Sequence, residues 1–148
     1  MNKLLLLQYI VEKLEALHQG AVDAAMQAYN TATHEENVAE NKYDTLGLEA
    51  AYLAQGQSRR VEECYSDLVE FRQFHGQMFS SQTPIDIGAL VTLCDELGNT
   101  QHLFLGPAAG GLKLTFNQVD ITVITLSAPL GKAMRGHLVD DEIEISIG

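Results

Sequence analysis

The sequence predicts an α+β protein, in which a helical hairpin comes first and an antiparallel β-sheet with one short helix follows. Apolar residues recur in steps of three and four on both sides of a non-periodic acidic segment, 33–45, and this spacing is typical of helices. After Pro84 the apolar spacing changes to two, which is typical of strands. The segment 127–136 begins with Ser-Ala-Pro and ends with Gly, which are the residues that start and stop a short helix.

The first helix is predicted from Leu4 to about Asn30. Apolar residues step along it by threes and fours, which is the spacing of a helix packed lengthwise on another helix. They are Leu7, Ile10, Leu14, Leu17, Ala21, Ala24 and Ala28. The leucine run near the start imitates a secretory signal peptide, but Glu12 and Lys13 interrupt it, so a helix start explains it better.

The second helix mirrors the first, and we expect the two helices to run antiparallel. Its seam, the row of residues that faces the first helix, is predicted at Leu46, Ala50, Leu53, Gln57, Arg60, Cys64, Leu68 and Phe71. An arm of about 28 residues at ~1.5 Å per residue reaches about 42 Å. So thin a hairpin buries little surface, and we therefore expect the second half of the chain to anchor its base.

The helical spacing fails between Gly76 and Pro84, so residues 1–78 are assigned to the hairpin and residues 79–148 to a second domain. Strands are predicted there at Ile85–Cys94, Thr100–Leu105, Leu112–Phe116 and Asp120–Leu126, with a turn at Asp95–Asn99. The tail from Asp141 to Gly148 alternates, with Ile143, Ile145 and Ile147 on one face. This alternation predicts a further antiparallel strand with one solvated side.

The composition is strongly acidic. The 148 residues carry 9 Lys and Arg against 20 Asp and Glu, a net charge of -11 with His neutral, and the excess is present in both predicted domains. Such a surface repels phosphate backbones, which argues against free DNA or RNA as a partner. A basic channel in another protein, or a metal ion, fits this charge better.

The cysteines, the histidines and the hydropathy indicate where the protein is located and argue against a metal site. Cys64 and Cys94 fall in different predicted elements, and the 5 histidines are scattered, so neither residue type has the spacing of a metal site. The cysteines are expected to be reduced thiols, as in cytosolic proteins. No apolar stretch reaches the ~18 residues of a membrane span. We therefore predict a soluble, cytoplasmic protein with no membrane partner.

The most specific motif lies in residues 121–145. A strand-like run, Ile-Thr-Val-Ile-Thr-Leu, leads into Ser-Ala-Pro-Leu-Gly-Lys-Ala-Met-Arg-Gly and an acidic, isoleucine-rich end. This run resembles the end of bacterial transcription elongation factors of the GreA/GreB family, in which Ser-Pro-Leu-Gly-x-Ala-Leu-x-Gly follows a strand. Two differences are the added Ala128 and the replacement of the family's leucine by Met134.

The resemblance implies an antiparallel coiled coil followed by a C-terminal FKBP-like domain. It also implies a partner, RNA polymerase: the C-terminal domain docks on the rim of the secondary channel, and the coiled coil enters the channel. Carboxylates at the tip then help to hold a second Mg²⁺ at the polymerase active site and promote cleavage of backtracked RNA, which is two-metal chemistry. A protein of this kind is not itself an enzyme, has no cofactor of its own, and meets nascent RNA only within the polymerase complex.

The hairpin tip also carries a family-like sequence, Glu40-Asn41 followed by Tyr43. The resemblance implies that the polar tip residues reach the polymerase active site; they are Glu36, Glu40, Asn41 and Asp44. Glu40 and Asp44 are the candidate ligands of the shared Mg²⁺, which prefers oxygen ligands and takes few from any one protein.

The tip departs from the family in register and charge. Asn37 stands where cleavage-active members have an aspartate, and one residue fewer separates Glu40 from Tyr43. Three alternatives therefore stay open: a factor that stimulates cleavage, a secondary-channel competitor or inhibitor that does not, and a coiled-coil interaction module unrelated to polymerase.

Two further groups are candidate polymerase contacts: Arg59 and Arg60 in the second helix, and Ser127, Pro129, Leu130 and Gly131 in the family-like motif. Simpler interpretations also stay open. The arginine pair also fits a surface charge that faces Glu62 and Glu63. The 127–136 segment also fits a structural helix capped by its serine. The acidic residues of the tip also fit a solvated hairpin end. An FKBP-like fold also raises prolyl isomerase activity, although Phe104 and Phe116 are the domain's only aromatic residues after Pro84.

Overall fold

The computed structural model describes the backbone of residues 2–38 and 46–143, and the side chains of residues 2–30 and 55–143. Two long helices come first: α1 spans Lys3–Val38 and α2 spans Leu46–Gln73. Helix α1 therefore continues beyond its predicted end near Asn30, through a stretch without Pro or Gly to stop it. The predicted tip falls partly in the last turns of α1 and partly outside the described residues.

The second half of the chain forms a four-stranded sheet and one short helix. The strands are β1 Leu90–Cys94, β2 Thr100–Leu105, β3 Lys113–Phe116 and β4 Val119–Ile124, and helix α3 is Pro129–Met134. The predicted fold class is confirmed in its main features: a helical pair, then a sheet with one short helix. None of the helices in the described part of the chain combines the length and apolarity that a membrane span requires.

The sheet is mixed, which corrects the predicted antiparallel sheet. The strand order is β1-β2-β4-β3, with antiparallel pairs at both edges and a parallel pair, β2 with β4, in the centre. The reason is the β3–β4 hairpin. Asn117 and Gln118 both have positive φ, 51° and 65°, which is the two-residue turn that joins antiparallel strands. The chain crosses the sheet before this hairpin, so β4 returns beside β2 in the same direction.

The boundaries of the first strand also differ from the prediction. Ile85–Ala89 is not in a strand: the Asp86 carboxylate accepts a hydrogen bond from the Ile87 N–H at 2.8 Å, and Gly88 has a φ of +100°. These two features bend the chain before β1 begins. At the other end, residues 141–143 are not in a strand, and the rest of the predicted tail strand, 144–148, lies outside the described residues.

The chain divides into two compact units, Val11–Val69 and Met1–Ile10 with Glu70–Gly148. The second unit holds the sheet together with the first turns of α1 and the last turn of α2. Phe71 of α2 lies 6.3 Å from Phe104 of β2 between ring centroids, and Tyr9 of α1 lies 5.7 Å from Phe116 of β3. The base of the hairpin is therefore packed on the sheet, as expected.

The core of this unit is apolar. Its largest fully buried side chains come from helices and strands alike: Leu6, Ile10, Phe104, Leu105, Ile121, Val123 and Met134. A Cβ added at Gly106 would lie 2.9 Å from both Phe71 Cζ and Val123 Cγ1. Glycine at this position therefore lets the Phe71 ring pack against the end of β2.

In Val11–Val69 the two helices pack along a heptad-spaced seam. Leu14, Ala21 and Ala28 are buried at intervals of seven, as the sequence predicted. Lys3 Nζ donates to the Gln77 carbonyl at 3.3 Å, and His18 lies 5.6 Å from Tyr65. Lys3, at the start of α1, thus contacts a residue just beyond the end of α2, whereas His18, further along α1, contacts a residue inside α2. The two helices therefore run antiparallel.

Two seam positions were assigned wrongly. Leu17 is 38% exposed, and half-buried His18 occupies the seam instead. Arg60 is exposed and half-buried Val61 takes its place. At positions 17 and 18 the spacing does not decide, because steps of three and four can be taken in either order. At position 60, burial of the guanidinium would cost desolvation energy, which burial of Val61 avoids. The side chains of Leu46, Ala50 and Leu53, the other predicted seam positions in α2, lie outside the described ones.

Candidate functional site

Helix α3 starts where strand β4 ends, and backbone hydrogen bonds fix the junction. The Ala128 N–H donates to the Thr125 carbonyl at 3.1 Å, and the Lys132 N–H donates to the Ala128 carbonyl at 3.0 Å. Pro129 lies in the first turn, as predicted, because its fixed φ suits a helix start and it has no N–H to leave without a partner. The family-like motif is therefore a short helix at the end of a central strand.

Ser127 does not cap this helix, contrary to the sequence prediction. Ala128 is the N-cap residue, and no side chain caps the first turn. The Ser127 hydroxyl instead lies 2.7 Å from the Thr125 hydroxyl. The inserted Ala128 occupies the capping position, so the serine lies one residue too early to cap. Ser127 is exposed and holds its hydroxyl at the protein surface.

Gly131 is a packing position. It is buried, and an added Cβ would overlap the Thr125 carbonyl oxygen and lie 3.5 Å from Leu105 Cδ1. Only a residue without a side chain allows α3 to lie this close to the end of β4. Gly131 therefore offers no side chain to a partner, whereas Leu130 is half-buried and Pro129 is exposed.

The far end of α3 is fastened to the segment before β1. The Gly136 N–H donates to the Ile85 carbonyl, and the Ile85 N–H donates to the His137 carbonyl, both at 2.8 Å. Arg135 Nε lies 3.3 Å from the Asp86 carboxylate. Gly136 has a φ of +85°, the left-handed conformation that commonly ends a helix, as its predicted role requires.

A tight turn follows α3 and is held by one carboxylate. Asp141 Oδ2 accepts a hydrogen bond from the Leu138 N–H at 2.8 Å and lies 3.3 Å from His137 Nδ1. The Asp141 N–H donates back to the Leu138 carbonyl at 3.1 Å. The sequence patterns did not predict this turn or the role of Asp86. An aspartate ahead of Gly, as in Asp86-Ile-Gly88, is the local signal that was available.

The exposed surface of α3 carries a hydroxyl, a proline ring and two cationic side chains. Ser127, Pro129, Lys132 and Arg135 are exposed, so this surface is neutral to basic within a chain of net charge -11. The Ser127 hydroxyl contacts the Thr125 hydroxyl, and the Arg135 guanidinium contacts the Asp86 carboxylate. Hydrogen bonds and ion pairs are the interactions that these side chains can make.

Arg59 and Arg60 lie side by side in α2, and both are exposed, as are Glu62 and Glu63 one turn further on. Consecutive residues on a helix point about 100° apart, so the two guanidinium groups leave the helix in different directions. The structure thus leaves both arginines accessible.

The predicted tip site is mostly outside the described part of the chain. Glu36 lies in the last turns of α1, but its side chain is not described, and Glu40, Asn41 and Asp44 lie wholly outside the described residues. The proposed Mg²⁺ ligands therefore stay a prediction. Among the side chains that the structure describes, no three of His, Cys, Asp or Glu come together as a metal site.

Comparison with solved structures gives three matching chains, of which two are described here. No family model and no curated protein matches the chain. One match is the transcription factor Gfh1, with a TM-score of 0.38 and 17% identity over 93% of this chain and 84% of that chain. Another is GreA factor homolog 1 (Gfh1) of Thermus thermophilus, with a TM-score of 0.34 and 22% identity over 91% of this chain and 84% of that chain.

Proposed function

We propose that this chain is a Gre-like transcription factor that binds RNA polymerase and inserts its acidic helical hairpin into the secondary channel. The observation that carries the proposal is the presence of both parts in the family's order: a long antiparallel helical pair, then a strand that leads directly into a Pro-Leu-Gly helix. In this proposal the hairpin is the coiled coil of the family and the sheet is its FKBP-like domain.

The charge distribution supports insertion into a basic channel. The unit Val11–Val69 holds eleven Asp and Glu against four Lys and Arg, which is a net charge of -7 with His neutral. The complementary field of a basic channel would attract this arm and speed association. The α3 surface, with Ser127, Pro129 and Leu130, is the proposed contact at the channel rim, and Arg59 and Arg60 are proposed to contact the polymerase from the arm.

The proposed role of the tip is to supply carboxylate oxygens to a Mg²⁺ ion of the polymerase active site. A bound Mg²⁺ would stabilise the charge that develops during RNA cleavage and would activate the attacking water. Glu40 and Asp44 would orient and retain the ion from one side, and Glu36 and Asn41 would hold the tip against the polymerase. The chain in this mechanism acts on the active site of another enzyme.

Binding is tested first. We expect the full chain to co-migrate with stalled core RNA polymerase in gel filtration at micromolar concentration. The interaction should weaken steeply between 50 and 500 mM salt, roughly as expected for contacts made through charge. Absence of co-migration at low salt would end the proposal and leave a coiled-coil module with some other protein partner.

Cleavage is tested separately on halted complexes with backtracked RNA. We expect Mg²⁺-dependent shortening of the RNA with the wild-type chain, and none with Glu40→Gln combined with Asp44→Asn, while gel-filtration binding is unchanged. The matched control is Glu62→Gln with Glu63→Gln, which removes the same charge from the middle of the arm.

The altered tip favours a second candidate, a channel competitor that does not stimulate cleavage. Asn37 replaces the aspartate of the cleavage-active family members and so removes one carboxylate from the tip. A wild-type chain that binds polymerase, shortens no RNA and displaces a cleavage-active Gre factor would establish this second function.

A further inference from the structure

One side of the helical pair exposes a row of mostly apolar residues that starts at the border of the seam. His18, Val22, Met26 and Tyr29 follow one another on α1 in steps of four, four and three, so they share one side of the helix. His18 lies at the border of the seam, where its ring is 5.6 Å from that of Tyr65 in α2. We call these five residues the lateral face.

The lateral face is accessible and has the composition of a contact surface. Met26 is 55% exposed, Tyr29 60% and Tyr65 53%, while His18 and Val22 are half-buried. Tyrosine and methionine are enriched at protein interfaces, where their long side chains cover much area. Single exposed apolar residues need no explanation, but these residues are neighbours on one side of two packed helices.

Helix geometry limits what can cover this face. From His18 to Tyr29 the row is ~17 Å long at ~1.5 Å per residue, and it follows the helix axis. An amphipathic helix laid along it would place its own apolar row against Val22, Met26 and Tyr29 and one side against Tyr65. This is the helix-in-groove mode of recognition, read as anchors spaced by three and four.

Charge decides between the two helical occupants. A second copy would bring two units of net charge -7 side by side, and like charges along an interface oppose association. Asp23, next to Val22 on α1, and Glu62, one turn before Tyr65 on α2, are both exposed, so each helix has a carboxylate close in sequence to the face. The complementary occupant is a helix with apolar residues on one side and Lys or Arg at its flanks.

We propose that the lateral face is a docking site for a basic amphipathic helix of a partner protein. This inference does not depend on polymerase binding. It requires only the described helices and their exposed side chains, and it would hold for a coiled-coil module with another function.

The test uses defined peptides and the full chain. The probe is a helical peptide with leucines on one side and lysines on the other. One comparison peptide has the same residues in a scrambled order with no apolar side, and another has glutamate in place of lysine. Binding is measured by fluorescence anisotropy, and the site is located by amide shift changes in NMR spectra.

The variant pair is matched in the number of apolar residues removed. Met26→Ser with Tyr29→Ser acts on the lateral face, and Met78→Ser with Leu97→Ser acts on two residues that are 93% and 87% exposed in the other unit. Both pairs replace exposed side chains, so helix content by circular dichroism should stay unchanged. We expect the first pair to weaken probe binding at least about tenfold and the second pair to leave it unchanged.

Each outcome decides the proposal. Shift changes centred on residues 18–29 and 58–65, with weak binding of both comparison peptides, support it. Equal binding of the scrambled peptide would reveal charge attraction alone and overturn it. Self-association of the wild type in sedimentation, lost in Met26→Ser with Tyr29→Ser, would overturn it in favour of a second copy on this face.

Discussion

The Phe71 ring, near the end of α2, lies 6.3 Å from the Phe104 ring of β2, and the two ring planes are tilted by 33°. Both side chains are buried, and the space for Phe71 exists because residue 106 is glycine. Aromatic pairs in this arrangement contribute beyond their buried area. The contact joins an element of the helical hairpin to the centre of the sheet.

Phe71→Ala is therefore expected to lower the free energy of unfolding by about 3–5 kcal/mol, because it removes a large core ring and leaves a cavity. Denaturation by urea, followed by circular dichroism, measures the change. Leu97→Ala, in an exposed turn of the same unit, is the control and should change stability by less than about 0.5 kcal/mol. Equal effects of the two variants would show that Phe71 does not hold the hairpin base.

Gly131→Ala is expected to lower the free energy of unfolding of the sheet unit by at least about 1–3 kcal/mol, which is the usual range for overpacking a core. The added methyl group would meet a backbone oxygen, that of Thr125, which cannot rotate away as a side chain can. Thermal unfolding measures the effect. Normal stability in this variant would mean that α3 is not held as closely against β4 as described.

Gly20→Ala is expected to act in the opposite direction. Gly20 lies inside α1, and an added Cβ meets nothing within 4 Å. Alanine should therefore raise the free energy of unfolding by roughly 0.5–1 kcal/mol, because it reduces the conformational freedom of the unfolded chain and favours the helix. The same thermal scan detects it. A loss of stability would indicate a close neighbour at this position.

The turn between β1 and β2 predicts a pH effect. The Asn99 side-chain and backbone hydrogen bonds lower the pKa of the Asp95 carboxyl below its ordinary value. A lowered pKa in the folded state contributes stability above the unfolded-state pKa, and this contribution is lost as the pH falls through the folded-state value. We expect Asn99→Ala to raise the pKa of Asp95, as measured by carboxyl-carbon NMR titration. A titration unchanged by Asn99→Ala would contradict this assignment.

Local sequence patterns predicted the positions of helices and strands better than the contacts that they make. Heptad spacing located both helices and the buried Leu14, Ala21 and Ala28, because packing of two helices demands that spacing. Heptad spacing could not decide between Leu17 and His18, because they lie three and four residues after Leu14. In the same way, Pro129 and Gly136 predicted the limits of α3, whereas the added Ala128 moved Ser127 out of capping distance.

Pairings between distant segments were the least predictable. The parallel contact of β2 with β4, and the hydrogen bonds of Ile85 with Gly136 and His137, join residues far apart in the chain. No local preference encodes them. The candidate site was likewise predicted only in part: the sequence pointed to Ser127 and Pro129, which are exposed. It did not point to the lateral face, because the heptad pattern identifies only the residues between the two helices and none of the lateral-face residues belongs to the predicted seam.

The β2–β4 pairing also has a kinetic consequence. The β1–β2 and β3–β4 hairpins each join neighbouring segments and can form early, within microseconds. The central contact must bring two preformed hairpins together across the intervening loop. Closing that loop costs entropy before any β2–β4 hydrogen bond can form. The middle of the sheet should therefore be assembled after its edges.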